Sequence, residues 1–249
     1  MRTRIILVIG TLAAAAAFGQ PDAGRVFHLT NPSTPQQYQE IATVIRSVGD
    51  IPDLLVDARQ KTVTVGGTPA QMAMAAWLVK ELDQPAGDSS RASEEYRGPD
   101  GDDVMCVFYL AHAPNPQSVQ EMITLIRSIA DVQRIFAYNA RKAIALRGEA
   151  EPVRMAEWLV NELDKPSPLE PSPAAHEYRP PGSTGDVVRV FYLAHAGSAQ
   201  ALQKSAAAVR SATDIQRIFF YTQTKALAVR GTEDQVASAA RQIRELDKP

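Results

Sequence analysis

The polar residues that recur along this chain are the first to test for chemistry. His112 and His195 each follow a Val-Phe-Tyr-Leu segment, and Asn31 holds the matching place upstream. A histidine in such a place acts as a base or metal ligand only with an orienting partner or further ligands beside it. The sequence offers neither, so both are expected to be turn histidines. Arg46-Ser47, Arg127-Ser128 and Arg210-Ser211 recur, with Asp50, Asp131 and Asp214 one helical turn beyond each arginine. That spacing suits an ion pair along a helix end, with a ligand clamp the lesser alternative. Asp83, Asp164 and Asp247 fall at helix termini. Cys106 is the single cysteine, so no internal disulfide and no cysteine-based metal site can form within one chain. Arg25 and Arg189 hold the equivalent position, which marks Cys106 as incidental. There is no nucleophile motif, no phosphate loop and no carboxylate pair confined to one part of the chain. Catalysis needs unlike residues converging on an asymmetric pocket. The sequence therefore predicts no enzyme, no cofactor and no metal.

The elements that carry these residues are written three times, at 26–85, 107–166 and 190–249, with linkers at 86–106 and 167–189. The second and third copies agree at nearly half of their positions. A repeat this long is a small domain rather than a solenoid turn. Each copy opens on an apolar strand, such as Val26–Leu29 or Val107–Leu110. Thr34-Pro35, Asn115-Pro116 and Ser198 then start a first helix. Tyr38, Ile41, Ile45 and Val48 form its apolar face in the first copy, and Val119, Met122, Ile126 and Ile129 in the second. Leu202, Ala206, Val209 and Ala212 make a thinner face in the third. A hairpin follows, then a second helix, opened in two copies by capping boxes, Thr68 with Gln71 and Thr232 with Gln235. The helix ends at Leu-Asp-Gln/Lys-Pro, where the proline stops it. The predicted fold class is α+β: three tandem β-α-β-β-α units. That order is KH-like, but no copy has the Gly-x-x-Gly loop of that nucleic-acid fold. The formal net charge of −2 also gives phosphate little to bind, so no nucleic-acid partner is expected.

Residues 1–19 have the layout of a secretory signal peptide: Arg2 and Arg4, the apolar run Ile5–Phe18, then small residues. The run is short of the roughly 20 residues that cross a bilayer, so no integral span is expected after cleavage. The linkers are rich in Gly, Ser, Asp and Pro and read as spacers. Within them Glu95-Tyr96-Arg97 recurs as Glu177-Tyr178-Arg179. It is either a segment docked on the following unit or a relic of duplication.

A unit of this size buries only about 60% of the surface its unfolded chain exposes, so each should need its neighbours. In the second helix Trp77 and Trp158 fall roughly opposite the core faces Met72, Ala75, Val79, Leu82 and Val153, Ala156, Val160, Leu163. Arg241 and Gln242 replace the pairs Trp77-Leu78 and Trp158-Leu159 in the third copy. An outward apolar pair that one copy lacks is the kind of anchor an interface uses. Trp77, Trp158, Leu78, Leu159, Tyr96 and Tyr178 are thus the interface candidates.

The opening Val-Phe-Tyr-Leu, the hairpin ends Leu146-Arg147-Gly148 and Val229-Arg230-Gly231, and the closing Glu-Leu-Asp-Lys-Pro form a pattern. Glu81-Leu82-Asp83-Gln84-Pro85 stands for the last of these in the first copy. On these residues the chain resembles the periplasmic ring-building (N-terminal) domains of bacterial secretins, over nearly all of its length after the leader. The resemblance implies a secretin N-domain-like fold, a periplasmic or exported location, and self-association or binding to envelope proteins such as a secretin. In that family such domains serve type II, type III or type IV pilus machines. No pore-forming region follows Pro249, so channel activity is not implied. The expectation is a non-catalytic periplasmic scaffold or adaptor. The alternative is a periplasmic ligand- or signal-sensing module.

Overall fold

The computed structural model describes residues 24–85, 94–98, 101, 103–166, 176–183 and 185–248. The expected leader 1–19 and much of both expected linkers lie outside these. The first unit contains β1 (Arg25–His28), α1 (Pro35–Ser47), β2 (Leu54–Asp57), β3 (Thr62–Val65) and α2 (Pro69–Leu82). The second contains β4 (Glu94–Arg97), β5 (Asp103–Tyr109), α3 (Pro116–Ala130), β6 (Arg134–Tyr138), β7 (Ala143–Glu149) and α4 (Ala150–Leu163). The third contains β8 (His176–Tyr178), β9 (Asp186–Tyr192), α5 (Ala199–Thr213), β10 (Arg217–Tyr221), β11 (Ala226–Thr232) and α6 (Glu233–Leu246). The chain is a mixed α+β protein with three small antiparallel sheets.

Local chemistry sets the element ends. Thr34, Asn115 and Ser198 accept from the backbone N–H three residues on, and Thr68–Gln71 and Thr232–Gln235 form reciprocal capping boxes. Asp131 and Asp214 cap their helices in the left-handed region, with φ of 64° and 55°, and Asp50 takes the same conformation, φ 57°, just beyond the cap of α1. Lys61, Lys142 and Lys225 turn the hairpins in the same region. For non-glycine residues that conformation is uncommon and is sustained by the surrounding hairpin.

The sheets run β1-β3-β2, β4-β5-β7-β6 and β8-β9-β11-β10. The second and third therefore carry a fourth strand that the first lacks among the described residues. These added strands, β4 and β8, are the Glu-Tyr-Arg segments, and β5 and β9 begin at Asp103 and Asp186. The expected linkers thus contain strands. A strand this short and polar has no apolar alternation to announce it.

Side-chain alternation along β5 sorts the packing. Val104, Cys106, Phe108 and Leu110 face the unit's own helices, α3 and α4. Met105, Val107 and Tyr109, with Tyr138, Ala143 and Ala145, join the buried cluster of the preceding unit, around Ile41, Val44 and Leu78. The third sheet repeats this: Val188, Val190, Tyr221, Ala226 and Ala228 belong to the cluster of α3 and α4. The molecule is therefore layered, sheet upon helix pair upon sheet. Helices α1 to α4 are covered on both faces. Each large apolar side chain fully buried in this way contributes about 1.5–3 kcal/mol, which meets the shortfall expected of an isolated unit.

The outermost faces differ. On the open back of the first sheet Val26 is 50% and Leu55 72% exposed. Helix α5 buries only Leu202, Ala206 and Val209, because Ser205 and Ala208 stand where α3 has Met122 and Leu125. Of the thin face read from the sequence, Leu202, Ala206 and Val209 pack in the core of the third unit and Ala212 is exposed.

Candidate functional site

The recurring polar residues are engaged in holding each unit together. The Asp83 carboxylate accepts from the Thr30 and Asn31 N–H groups at 2.8 and 2.7 Å, and Asn31 Nδ2 donates to the Asp83 carbonyl. Asp164 accepts likewise from Ala111 and His112, and Asp247 from Ala194 and His195. The Nδ1 atoms of His112 and His195 lie 2.9 and 2.8 Å from the carbonyls of Asp164 and Asp247. Each is thus a clamp between the loop after the first strand and the end of the second helix.

The expected pairing of Arg46 with Asp50 and its counterparts is not what forms. Arg127 Nη2 donates to the Ile135 carbonyl at 2.8 Å and Arg210 Nη2 to Ile218 at 3.1 Å, with Arg46 directed at Leu54 at 3.5 Å. The left-handed turn at the aspartate carries its carboxylate away from its own helix. Asp50 instead meets Arg134, and Asp131 meets Arg217, each at 3.1 Å and each in the next unit. Cys106 is buried, and burial first, then Glu95 and Glu157, push its thiol up to about 12. It stays a protonated core residue rather than a nucleophile.

Such cross-unit contacts are built twice, with matching residues. Trp77 lies 5.5 Å from Tyr96, and Trp158 lies 5.5 Å from Tyr178, both pairs tilted at 42° and 39°. The partner tyrosine comes from the added strand of the following sheet. Glu40 accepts from the Asn139 N–H at 3.1 Å, and Glu121 from the Thr222 N–H at 3.0 Å. Arg230 reaches the Ile129 carbonyl at 2.8 Å, at the end of the preceding helix, where a cation is favoured by the helix dipole. Arg147 makes the longer equivalent approach to Gly49 at 3.5 Å. Asp186 and Asp103 hold these two arginines at 2.6 and 2.8 Å. Tyr192 donates to the Glu162 carbonyl at 2.7 Å, and Tyr109 to that of Glu81.

Leu78 and Leu159 are completely buried, in clusters that include side chains of the following sheets. Helix α2 is apolar on nearly every side from Met72 to Val79, and a helix apolar all round is buried all round. A reading with one core face per helix misses this. The two tryptophans are half-buried at the rim of the same layer.

The junction tyrosines carry the strongest electrostatic signature. Burial first and Glu40 second push Tyr138 up to about 12. Burial and the hydrogen bond to Glu151, 2.6 Å away, push Tyr178 up to about 12. Tyr192 and Tyr221 are raised as well, chiefly by burial. Burial alone would raise Glu177, but the Arg189 and Arg179 guanidiniums outweigh it and hold its carboxyl below the usual range.

Two clefts open beside the first junction. One, of about 540 Å³, is lined by Asp50, Gln71, Met74, Asp103 and Arg147. The other, of about 440 Å³, is lined by Asp131, Arg134 and Glu149 among others. Asp50 pairs there with Arg134 and Asp103 with Arg147. Among the described residues no group of three or more His, Cys, Asp or Glu side chains is placed to hold a metal ion. Nor is any described helix long and apolar enough to cross a membrane.

The three small sheets and the helices between them thus pack in layers joined by matching contacts. No family model matches the chain, and no curated protein does. Solved structures give matches at low identity. The N-terminal domain of the secretin XcpQ from Pseudomonas aeruginosa is 14% identical with a TM-score of 0.31, covering 91% of this chain and 100% of that one. Aeromonas hydrophila ExeD is 17% identical with a TM-score of 0.21, covering 90% of this chain and 40% of that one. The Klebsiella pneumoniae type II secretion system outer membrane complex of PulD, PulS and the PulC HR domain is 19% identical with a TM-score of 0.22. There the match covers 96% of this chain and 36% of that one. The chain thus spans well under half the length of ExeD. None of these superpositions is close enough to transfer a role.

Proposed function

We propose that the chain is a non-catalytic periplasmic scaffold or adaptor of three tandem secretin-like β-α-β-β-α units. In this reading it mediates protein–protein assembly in the cell envelope, beside a secretin of a secretion or type IV pilus system. The observation that carries it is the doubled junction: the same set of contacts, Trp–Tyr, Asp–Arg, Glu–backbone and Tyr–carbonyl, is built twice at matching positions. The recurring polar residues serve those contacts or the clamps within each unit, which is an economy suited to a shaped rod. Trp77, Trp158, Tyr96 and Tyr178 act within the chain as fasteners that fix the units in line. Contacts with other proteins then use the sheet edges and the rod's sides. The resemblance of the Val-Phe-Tyr-Leu, Arg-Gly and Glu-Leu-Asp-Lys-Pro segments to secretin N-domains supports the envelope setting.

The test is in-cell crosslinking from single photoreactive residues placed on the rod's sides, followed by identification of the crosslinked proteins. Recovery of envelope assembly components, a secretin among them, is the expected result. A chain that is strictly monomeric by light scattering across concentrations, and that crosslinks to no envelope protein, would refute the reading.

A further inference from the structure

Among the described residues the first sheet ends at β1, whereas the equivalent strands β5 and β9 are covered by β4 and β8. The parity of the ladder shows what β1 offers. Leu29 N–H donates to the Lys61 carbonyl at 2.9 Å, so in an antiparallel pair Phe27 and Arg25 also face β3. Val26 and His28 then turn their N–H and C=O groups to the open edge, and both are exposed. Unpaired edges are usually blunted or covered.

The side chains at this edge match those of an occupied one. In the third sheet Glu177 of β8 sits opposite Arg189 of β9. The pair is hydrogen-bonded through Nε at 3.0 Å, and the Arg189 guanidinium lies 6.0 Å from the Phe191 ring. Arg25 stands at the position of Arg189, and its guanidinium lies 5.0 Å from the ring of Phe27, the counterpart of Phe191. Arg25 is exposed and has no acidic partner among the described residues. The first unit thus has the arginine, the aromatic seat and the backbone ladder of an occupied edge, with no covering strand among the described residues.

We propose that the open edge of β1 is a strand-addition site for an extended segment of a partner protein, which places a glutamate against Arg25. Antiparallel entry in the register of β8 would set that glutamate opposite Arg25, with the preceding residue opposite Val26 and the following residue opposite Gly24. Backbone bonds to Val26 and His28 would supply the affinity, and the Glu–Arg pair the register. This deepens the scaffold reading, on which it rests, by naming the surface and the chemistry of the partner segment.

The experiment uses a synthetic peptide, Ala-Ala-His-Glu-Tyr-Arg, added to the full chain and to a chain starting at Gln20, with hydrogen exchange read residue by residue. Exchange at Val26 and His28 should slow by about tenfold or more on peptide addition, while Arg25 and Phe27 stay as they were. Arg25→Glu, at an exposed position that leaves the fold intact by circular dichroism, should weaken binding about tenfold. A peptide with lysine in place of the glutamate should restore binding to Arg25→Glu. Peptide binding without protection at Val26 and His28 would overturn the proposal. So would protection already present before the peptide is added, which would give the edge to the chain's own upstream residues or to a second copy. A chain that crosslinks to envelope partners equally well with and without Arg25→Glu overturns the strand-addition site and leaves the scaffold reading standing.

Discussion

The junction between the second and third units depends on two rings supporting each other, and a double-mutant cycle on Trp158 and Tyr178 measures how much. Trp158 is half-buried and its ring lies 5.5 Å from that of Tyr178. Truncating a fully buried tryptophan costs about 3–5 kcal/mol, so half that burial sets the loss for Trp158→Ala at about 2 kcal/mol. An aromatic pair in this geometry is worth about 0.5–1.5 kcal/mol beyond its area, and that is the coupling the cycle with Tyr178→Ala should return. Tyr178→Phe separates the ring from the hydroxyl, which donates to Glu151 at 2.6 Å. Urea unfolding followed by circular dichroism gives the free energies. The chain has only two tryptophans, so in Trp158→Ala the fluorescence comes from Trp77 alone and reports the first junction. That signal should keep its native emission while the third sheet loosens. A coupling below about 0.3 kcal/mol would refute the reasoning, because Trp158 would then be lying on its own helix without using Tyr178.

Leu163 and Leu246 hold the same place in successive units, yet one is fully buried and the other 44% exposed. Leu163→Ala should cost about 2–5 kcal/mol and Leu246→Ala under about 1 kcal/mol in thermal unfolding, and equal losses would contradict the layered packing. Asp164→Ala leaves the Ala111 and His112 N–H groups without their acceptor and should cost about 2 kcal/mol, a loss that Asp164→Asn only partly avoids. Tyr138 and Tyr178 are pushed up to about 12, and Tyr192 and Tyr221 are also raised. A raised folded pKa adds stability that is complete below the ordinary tyrosine value of about 10 and is lost as pH climbs through the folded value. Urea unfolding at a series of pH values should therefore show stability falling between about pH 10 and 12. Tyr221→Phe should make the fall shallower, and an identical fall in that variant would sink the assignment.

The elements were legible where their signals are local. Thr34, Asn115, Ser198 and the two capping boxes announce their helices from side chains within one turn, and the structure uses each of them. The added strands were not legible, because Glu-Tyr-Arg has neither apolar alternation nor length, and its strand character comes from pairing with β5 and β9. The full burial of Leu78 and Leu159 is hidden for a related reason. Helical spacing identifies an apolar face but does not say whether a second sheet will cover the opposite one. The continuous apolar run from Met72 to Val79 was the available signal. Arg46 and Asp50 were paired by spacing alone, whereas the left-handed aspartate sends the two side chains to different units. Lys61, Lys142 and Lys225 recur at the hairpin turns, and a lysine gives no warning of a positive φ.

The layering also restricts how such a chain can evolve. Among the described residues only the second unit carries recognition chemistry on both sides: Arg134, Tyr138 and Arg147 reach backward, and Glu121, Asp131 and Trp158 meet the unit that follows. The first has Asp53, Asp57 and Gly66 at the places of those three backward residues, and the third has Lys204 and Arg241 in place of Glu121 and Trp158. Exchanging the first and third units would set Asp53 against Asp131 and leave the Ile129 carbonyl without its arginine. Repeats joined by nearest-neighbour contacts can be lengthened by duplication only where the duplicated unit fits itself. Here that unit is the middle one. A longer relative built on this plan should therefore have gained copies of the 107–166 type, inserted within the chain, and should keep its two distinctive ends.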